Sequence, residues 1–223
     1  MRFSPNPWLV AALAFVVLGF SRGLHPSFGV FNVPLLDSFN WSRGATAGIF
    51  SVVLTIDAML SPVAGYLLDR YGAKKIVLAG CLTLASGLFL SSQVSELWHL
   101  YICFGLITAF GFTFVGMVPH VFLISEWFSS NRASAIGIVY AGSGVGIMIL
   151  APLSAWLIAT QGWARALEIY SGVVLISLLP LVWIFCQHGP FGEKLRHRGQ
   201  KRNEQDHWTA NLTLKSLQFW LLF

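Results

Sequence analysis

The sequence predicts an all-α membrane protein with six transmembrane helices, on three observations. Of its 223 residues, 56% are hydrophobic and only 10% charged, with nine Trp and eighteen Phe; a soluble domain carries about 25% charged residues. The apolar residues gather into six stretches, each able to supply the roughly 20 residues that a helix needs to cross a hydrocarbon core. The Lys and Arg between the stretches alternate in density: with the N-terminus in the cytoplasm, eleven fall on the inner side and two, Arg43 and Arg165, on the outer. That asymmetry orients the chain N-terminus inside. It also accounts for the net charge of +5 as topology, so a nucleic-acid partner is not indicated.

The predicted spans cover residues 8–36, 44–68, 75–94, 97–128, 133–160 and 164–186. In the first, Arg2 precedes "WLVAALAFVVLGF", but no small-x-small cleavage site follows and the apolar character resumes after His25, so it reads as an uncleaved span and not as a signal peptide. Cys81, Cys103 and Cys186 fall within spans and are odd in number, which fits packing residues and not a disulfide framework. Residues 1–186 are thus expected to form a six-helix bundle. Residues 187–213 mix bases with acids and Gly and read as a basic cytoplasmic linker, with contact to anionic lipid headgroups as a second use. Residues 214–223 open like a seventh span, with Lys215 at its inner edge, and are expected to be its truncated start. A six-span bundle followed by a linker and a further span suggests half of a two-bundle protein; a seven-span receptor is the structural rival.

The turn between spans two and three carries the most specific signal, "GYLLDRYGAKK". Gly65 is expected to let the end of span two pack closely on a neighbour, Asp69 and Arg70 sit at the water boundary, Gly72 permits a tight reversal, and Lys74 and Lys75 hold the turn inside. The pattern resembles the inner-loop signature of the major facilitator superfamily, differing mainly in having Ala73 where a base is more usual. The resemblance implies the N-terminal six-helix bundle of a major facilitator fold, with a C-terminal six-helix half as its partner. It also implies a central site between the halves, and alternating access by rocking of one against the other. Asp69 would help latch the inner face by contacting the second bundle, with Arg70, Lys74 and Lys75 as its neighbours.

A second stretch, residues 124–163, runs from span four through a short loop into a Gly-rich span five. Ala133, Gly137 and Ala141 recur at four-residue spacing, as do Gly142 and Gly146, with Gly144 between them; such small residues let helices approach closely. A close seam of that kind can rock or slide, and Pro152 is expected to bend or locally open the span. The blocks "WFSSNRASAIGI" and "AGSGVG", with "SFGVF" and "WSRG", resemble the monocarboxylate transporter and oxalate/formate antiporter branch. Two departures leave the substrate open. Pro26 stands where many of that branch carry a lysine, and Ala164 separates Gly162-Trp163 from Arg165 where Gly-Trp-Arg is usual.

Four ionisable residues inside the spans, Arg22, His25, Asp57 and His120, are the site candidates. Gly19, Arg22, His25, Pro26, Gly29 and Asn32 follow three- and four-residue steps and share a helical face, beside an apolar stripe of Phe20, Leu24, Phe28 and Phe31 that suits lipid. Arg22 lies 14 residues past Trp8, about 21 Å along a helix and so near mid-bilayer, where a charge needs a partner or a watery cavity. Asp57, 12 residues before Asp69 on an oppositely directed span, reaches the same depth. The two either form a structural pair that sets helix register or a pair that opens as an anion binds. The resemblance further implies that His25 and His120 face the same water-filled space, where an imidazole is a proton or anion partner; the plainer reading of each is a hydrogen-bonded packing residue. Glu126, Arg132, Arg165 and Glu168 lie at span ends as interface or gating charges, and Tyr101 and Tyr140 are candidate donors to a carboxylate.

No His-Glu-x-x-His, no metal-spaced cysteine pair and no Gly-x-Ser-x-Gly occurs, so neither an enzyme nor a metal or cofactor is indicated. The expected function is secondary transport of a small organic anion, coupled to protons or exchanged for a counter-anion, in a plasma membrane or bacterial inner membrane. The alternatives are a facilitator exporter of amphipathic or sugar-like compounds and a non-transporting receptor or assembly subunit.

Overall fold

A computed structural model describes residues 6–39 and 41–185. The predicted linker and the start of the seventh helix lie outside the described residues, as does Cys186. Six helices are long and apolar enough to cross a membrane: α1 Pro7–Phe39, α2 Arg43–Tyr71, α3 Ala73–Ser92, α4 Leu97–Trp127, α5 Arg132–Gln161 and α6 Trp163–Ile184. Their ends fall within about three residues of the predicted spans, the range expected for boundaries read from sequence.

Two of the reversals are single glycines. Gly72 (φ +81°, ψ 158°) alone separates α2 from α3, and Gly162 (φ +83°, ψ 163°) alone separates α5 from α6. That region of backbone space is open almost only to glycine, so the tight turn expected at Gly72 has a conformational cause. At the start of α1 the Asn6 side chain accepts from the Trp8 amide, and Pro7 occupies the first turn, where its missing N–H is not needed.

The helices alternate in direction, and the core shows it. One cluster joins Val10 of α1, Leu68 at the end of α2, Ala73 at the start of α3, Trp127 at the end of α4 and Ala135 at the start of α5. A larger cluster, which includes Phe28, Phe31, Phe104 and Tyr170, fills the middle and the opposite end. Leu24, Phe28 and Phe31 are therefore core residues, each buried to 2% exposure or less. The expectation that their stripe suits lipid is corrected. Lipid and bundle interior are equally apolar, so hydropathy does not separate them.

The most extensive helix pair is α1 with α5. A Cβ on Gly146 would overlap the Gly19 carbonyl, one on Gly23 would lie 2.5 Å from the Gly146 carbonyl carbon, and one on Gly142 would lie 2.5 Å from the Phe15 carbonyl oxygen. The close seam expected of span five is present, but on the Gly142–Gly146 row alone. Among the described residues nothing lies within 4 Å of a Cβ built on Gly137, Gly144 or Gly65, so these three form no close seam with a described helix. Gly137 and Gly144 face away because a helix row repeats every three or four residues, which turns them off the row that meets α1. Pro152 removes one backbone donor, yet α5 runs unbroken from Arg132 to Gln161. α3 is held from two sides: the Gly87 backbone abuts Thr108 of α4, and Ser171 of α6 donates to the Ala85 carbonyl at 2.8 Å.

α4 is interrupted, whereas α1 passes through a 3-10 turn at Phe28–Phe31 and α6 through a π-helical stretch at Val174–Leu178 without a break. Tyr101–Thr108 form a π-helical stretch, Ala109–Phe114 return to α geometry, and the helix breaks at Val115 and Gly116 before resuming over Met117–Trp127. Gly116 is extended (φ −86°, ψ −159°). Pro119, three residues on, has no N–H to continue the ladder through Val115. Such interruptions at membrane depth are tolerated only where the backbone is buried in protein or lines a cavity.

Candidate functional site

The four intramembrane candidates do not share one environment. Arg22 and Asp57 meet directly: Nη1 of Arg22 donates to Oδ2 of Asp57 at 2.9 Å, with 18% and 15% of the two side chains exposed. The depth arithmetic that placed them level on antiparallel helices thus corresponds to a formed ion pair between α1 and α2. The other carboxylate oxygen, Oδ1, accepts from the hydroxyl of Thr113 on α4 at 2.8 Å. Three helices converge on one carboxylate.

Gly116 explains how the arginine fits against α4. A Cβ there would stand 2.7 Å from Nη2 of Arg22 and 2.7 Å from the Phe112 carbonyl oxygen, so the break in α4 and the absence of a side chain together make room for the guanidinium. Asp57 engages only one of its nitrogens. Nε of Arg22 is buried and has no hydrogen-bond partner among the described residues, so the guanidinium keeps donor capacity for a second carboxylate.

His25 is one turn further along α1, with its ring between Phe50 of α2 and Phe112 of α4 at centroid distances of 5.2 and 4.9 Å. It is buried, and its Nε2 has no hydrogen-bond partner among the described residues. His120 is also buried, and its Nδ1 donates to the Gly116 carbonyl at 2.7 Å, four residues back. It lines a narrow crevice with Val10, Val17, Leu123 and Val182. Both imidazoles are enclosed by the described residues. The shared helical face read for α1 is divided accordingly: Gly19 belongs to the α5 seam, Arg22 to the ion pair and His25 to the aromatic slot, while Pro26 and Gly29 are exposed and Asn32 is half-buried.

Above Arg22 along α1, at the end of the bundle away from Asp69, a recess of about 660 Å³ is lined by Gly29, Asn32, Val33 and Asp37 of α1 and by Trp41 and Arg43 at the start of α2. Gly29 stands two helical turns from Arg22 on the same side, so the exposed strip of α1 leads from the recess toward the pair.

At the opposite end Asp69 and Arg70 are exposed, with the Arg70 guanidinium 5.4 Å from the Tyr71 ring centroid. Lys74 reaches back over Trp183 of α6 at 4.8 Å and Lys75 is exposed. Tyr101, a candidate carboxylate donor, instead donates to the Ala45 carbonyl at 2.7 Å and ties α4 to α2. Arg165 and Glu168 pair with each other at 2.7 Å.

Thr113 and Gly116 are the site residues that the sequence reading missed.

A bundle of six membrane-length helices, with a part-buried ion pair joining two of them, defines a multi-pass membrane protein. The chain belongs to the Major Facilitator Superfamily, whose sequence profile matches residues 10–223. It is 35% identical over 181 residues to human Monocarboxylate transporter 11, covering 78% of this chain and 38% of that protein. It is 32% identical over 168 residues to human Monocarboxylate transporter 2, covering 75% and 35%, and 30% identical over 179 residues to rat Monocarboxylate transporter 13, covering 80% and 40%. The chain therefore spans well under half the length of these relatives, and the six described helices are the N-terminal half of the superfamily's fold.

Proposed function

We propose that this chain is the N-terminal half of a secondary transporter that moves a small monocarboxylate-like anion by alternating access, with Arg22 receiving the substrate carboxylate. The observation that carries this reading is the Arg22–Asp57 pair: a permanent cation within a membrane-length helix, bound to a single carboxylate, bordering an exposed strip, and with its Nε unpartnered among the described residues. A guanidinium stays charged under any physiological condition, so it recognises a carboxylate in either orientation of the carrier. A substrate that takes Asp57's place leaves that aspartate without its cation in a low-dielectric setting, where a lone charge is costly. Uptake of a proton by Asp57 restores the balance and couples the two movements. The exposed faces of α2 and α5, the least buried of the six helices, together with Asp69, Gly65, Gly137 and Gly144, are then where the second six-helix half docks and rocks. The relatives' names, all monocarboxylate transporters, support the substrate class.

The test is uptake by the full-length protein in proteoliposomes, across a panel of monocarboxylates, amphipathic compounds and sugars, with and without an imposed proton gradient. A monocarboxylate is expected to accumulate and to do so faster down the gradient. Movement of a sugar or amphiphile with no carboxylate transported overturns the reading. That result would favour the second one, an exporter in which the pair is structural; the small exposure of both side chains supports this rival.

The proposed location is a plasma membrane or bacterial inner membrane, with the N-terminus in the cytoplasm. Ser130, in the exposed α4–α5 turn, and Ser95, in the exposed α3–α4 turn, lie at opposite ends of the bundle. A cysteine at Ser130 is expected to react with an impermeant thiol reagent only from the cytoplasmic side, and one at Ser95 only from outside. The reverse pattern would invert the topology.

A further inference from the structure

Thr113 has one hydroxyl hydrogen and two acceptors within reach. Its Oγ1 lies 2.8 Å from Oδ1 of Asp57 and 3.0 Å from the carbonyl oxygen of Ala109, one turn back on α4. Thr113 is buried at 2% exposure, so water does not compete for either bond. A hydroxyl also accepts through two lone pairs.

We propose that Thr113 is the positioning residue for proton uptake by Asp57, holding Oδ1 as the atom that is protonated. With Asp57 ionised, the hydroxyl hydrogen points to Oδ1 while Arg22 holds Oδ2. When a proton bonds to Oδ1, the carboxylate becomes a neutral acid whose new O–H donates to Oγ1 of Thr113. The threonine hydrogen rotates about the Cβ–Oγ1 bond to the Ala109 carbonyl. Within the Asp57–Thr113–Ala109 relay only hydrogens move, and Oδ1, Oγ1 and the Ala109 carbonyl oxygen each keep a partner. Asp57 no longer attracts Arg22 as a charge, and the guanidinium turns to the substrate carboxylate, so the net charge at the site is the same before and after. Release of the proton and the substrate reverses each step.

Oδ1 is the suitable atom because the charged neighbours lie on the other side of the exchange. Arg22 occupies Oδ2. The titratable groups near the pair are His25 of α1, within Coulombic range of both charges, and His120 of α4, in range of Arg22; neither donates to Asp57. Ser61 of α2 donates to the main-chain carbonyl of Asp57, not to its side chain. Thr113 is thus the one side chain among the described residues that meets Oδ1.

This inference rests on the proton-coupled reading above, and its test separates the two. Thr113→Val keeps the shape and removes both the donor and the acceptor; Thr113→Ser keeps them. Two rates are measured for the full-length protein, normalised to its amount in the membrane: net carboxylate uptake driven by a proton gradient, and counterflow of labelled against unlabelled carboxylate at equal pH. Net uptake requires the proton to bind and leave in every cycle, whereas counterflow lets it stay. T113V is expected to lose roughly tenfold or more of net uptake, the scale of a hydrogen bond to a charged group, while keeping counterflow near the wild-type rate; T113S is expected to retain both. Equal loss of both rates, no loss of either, or a T113V protein that fails to accumulate would each make Thr113 a packing residue and overturn the assignment. Wild-type uptake that ignores the proton gradient would overturn the coupled reading itself, and this inference with it.

Discussion

Carboxylate uptake by the full-length protein is expected to be abolished by Arg22→Gln, with the variant still reaching the membrane. Glutamine keeps length and hydrogen-bonding capacity but supplies no positive charge, so the substrate loses its counter-charge at the point where bulk water is least available. The same substitution also strands Asp57. Breaking a buried pair from one side typically costs about 3–5 kcal/mol because the remaining charge is uncompensated; with 15% of the aspartate side chain exposed, part of that is relieved by residual solvent or by protonation. A drop in thermal stability in detergent is therefore expected beside the loss of uptake, and by itself it would not distinguish a transport residue from a structural one.

The double variant Arg22→Gln with Asp57→Asn separates them. Two neutral amides at this distance leave no stranded charge, and replacing a buried ion pair by neutral groups is often close to neutral in stability. If Arg22 binds substrate, the double variant regains stability and stays inactive in uptake. If the pair only sets the register of α1 against α2, the double variant regains both. Transport by Arg22→Gln alone would remove Arg22 from the mechanism altogether.

How far such a site is legible in sequence depends on what each signal measures. The Arg22–Asp57 contact was within reach because depth along a helix is fixed at 1.5 Å per residue and because a mid-membrane charge needs a partner, which leaves few choices. The turn at Gly72 was legible for a similar reason: one backbone conformation suits almost one residue type. Thr113 was not, because a threonine inside an apolar helix ordinarily bonds its own i−4 carbonyl, and Thr113 also lies within bonding distance of that carbonyl; its second partner arrives from another helix. The neighbours of His25 escaped the sequence because helical periodicity gives a direction around an axis but not which neighbour stands there, whereas the buried bond of His120 to the Gly116 carbonyl fits the plainer reading of a packing residue. Phe50 and Phe112 close around His25 from helices whose rotation the sequence does not specify. The break in α4 left a trace in Gly116 and Pro119, yet the π-helical stretch at Tyr101–Thr108 left none that composition records.

The seam between α1 and α5 yields the second large effect. Gly146→Ala is expected to lower both thermal stability and uptake, whereas Gly144→Ala leaves both near the wild-type values. The methyl group at Gly146 would occupy the position of the Gly19 carbonyl, which is backbone and cannot rotate aside, so the two helices must separate. Overpacking of that kind costs about 1–3 kcal/mol or more. At Gly144 the methyl meets nothing within 4 Å, and alanine gains up to about 1 kcal/mol in intrinsic helix preference. The two substitutions are chemically identical and lie two residues apart, so their difference isolates the seam from helix propensity. Uptake follows because Arg22 stands between Gly19 and Gly23, the two α1 glycines in the seam. Pushing α1 off α5 moves it toward α2 and α4, and the 2.9 Å contact with Asp57 and the gap over Gly116 have no slack to absorb the shift. If Gly146→Ala instead leaves melting temperature and uptake unchanged, the close approach of α1 and α5 does not set the position of Arg22, and the coupling between the seam and the site has to be abandoned.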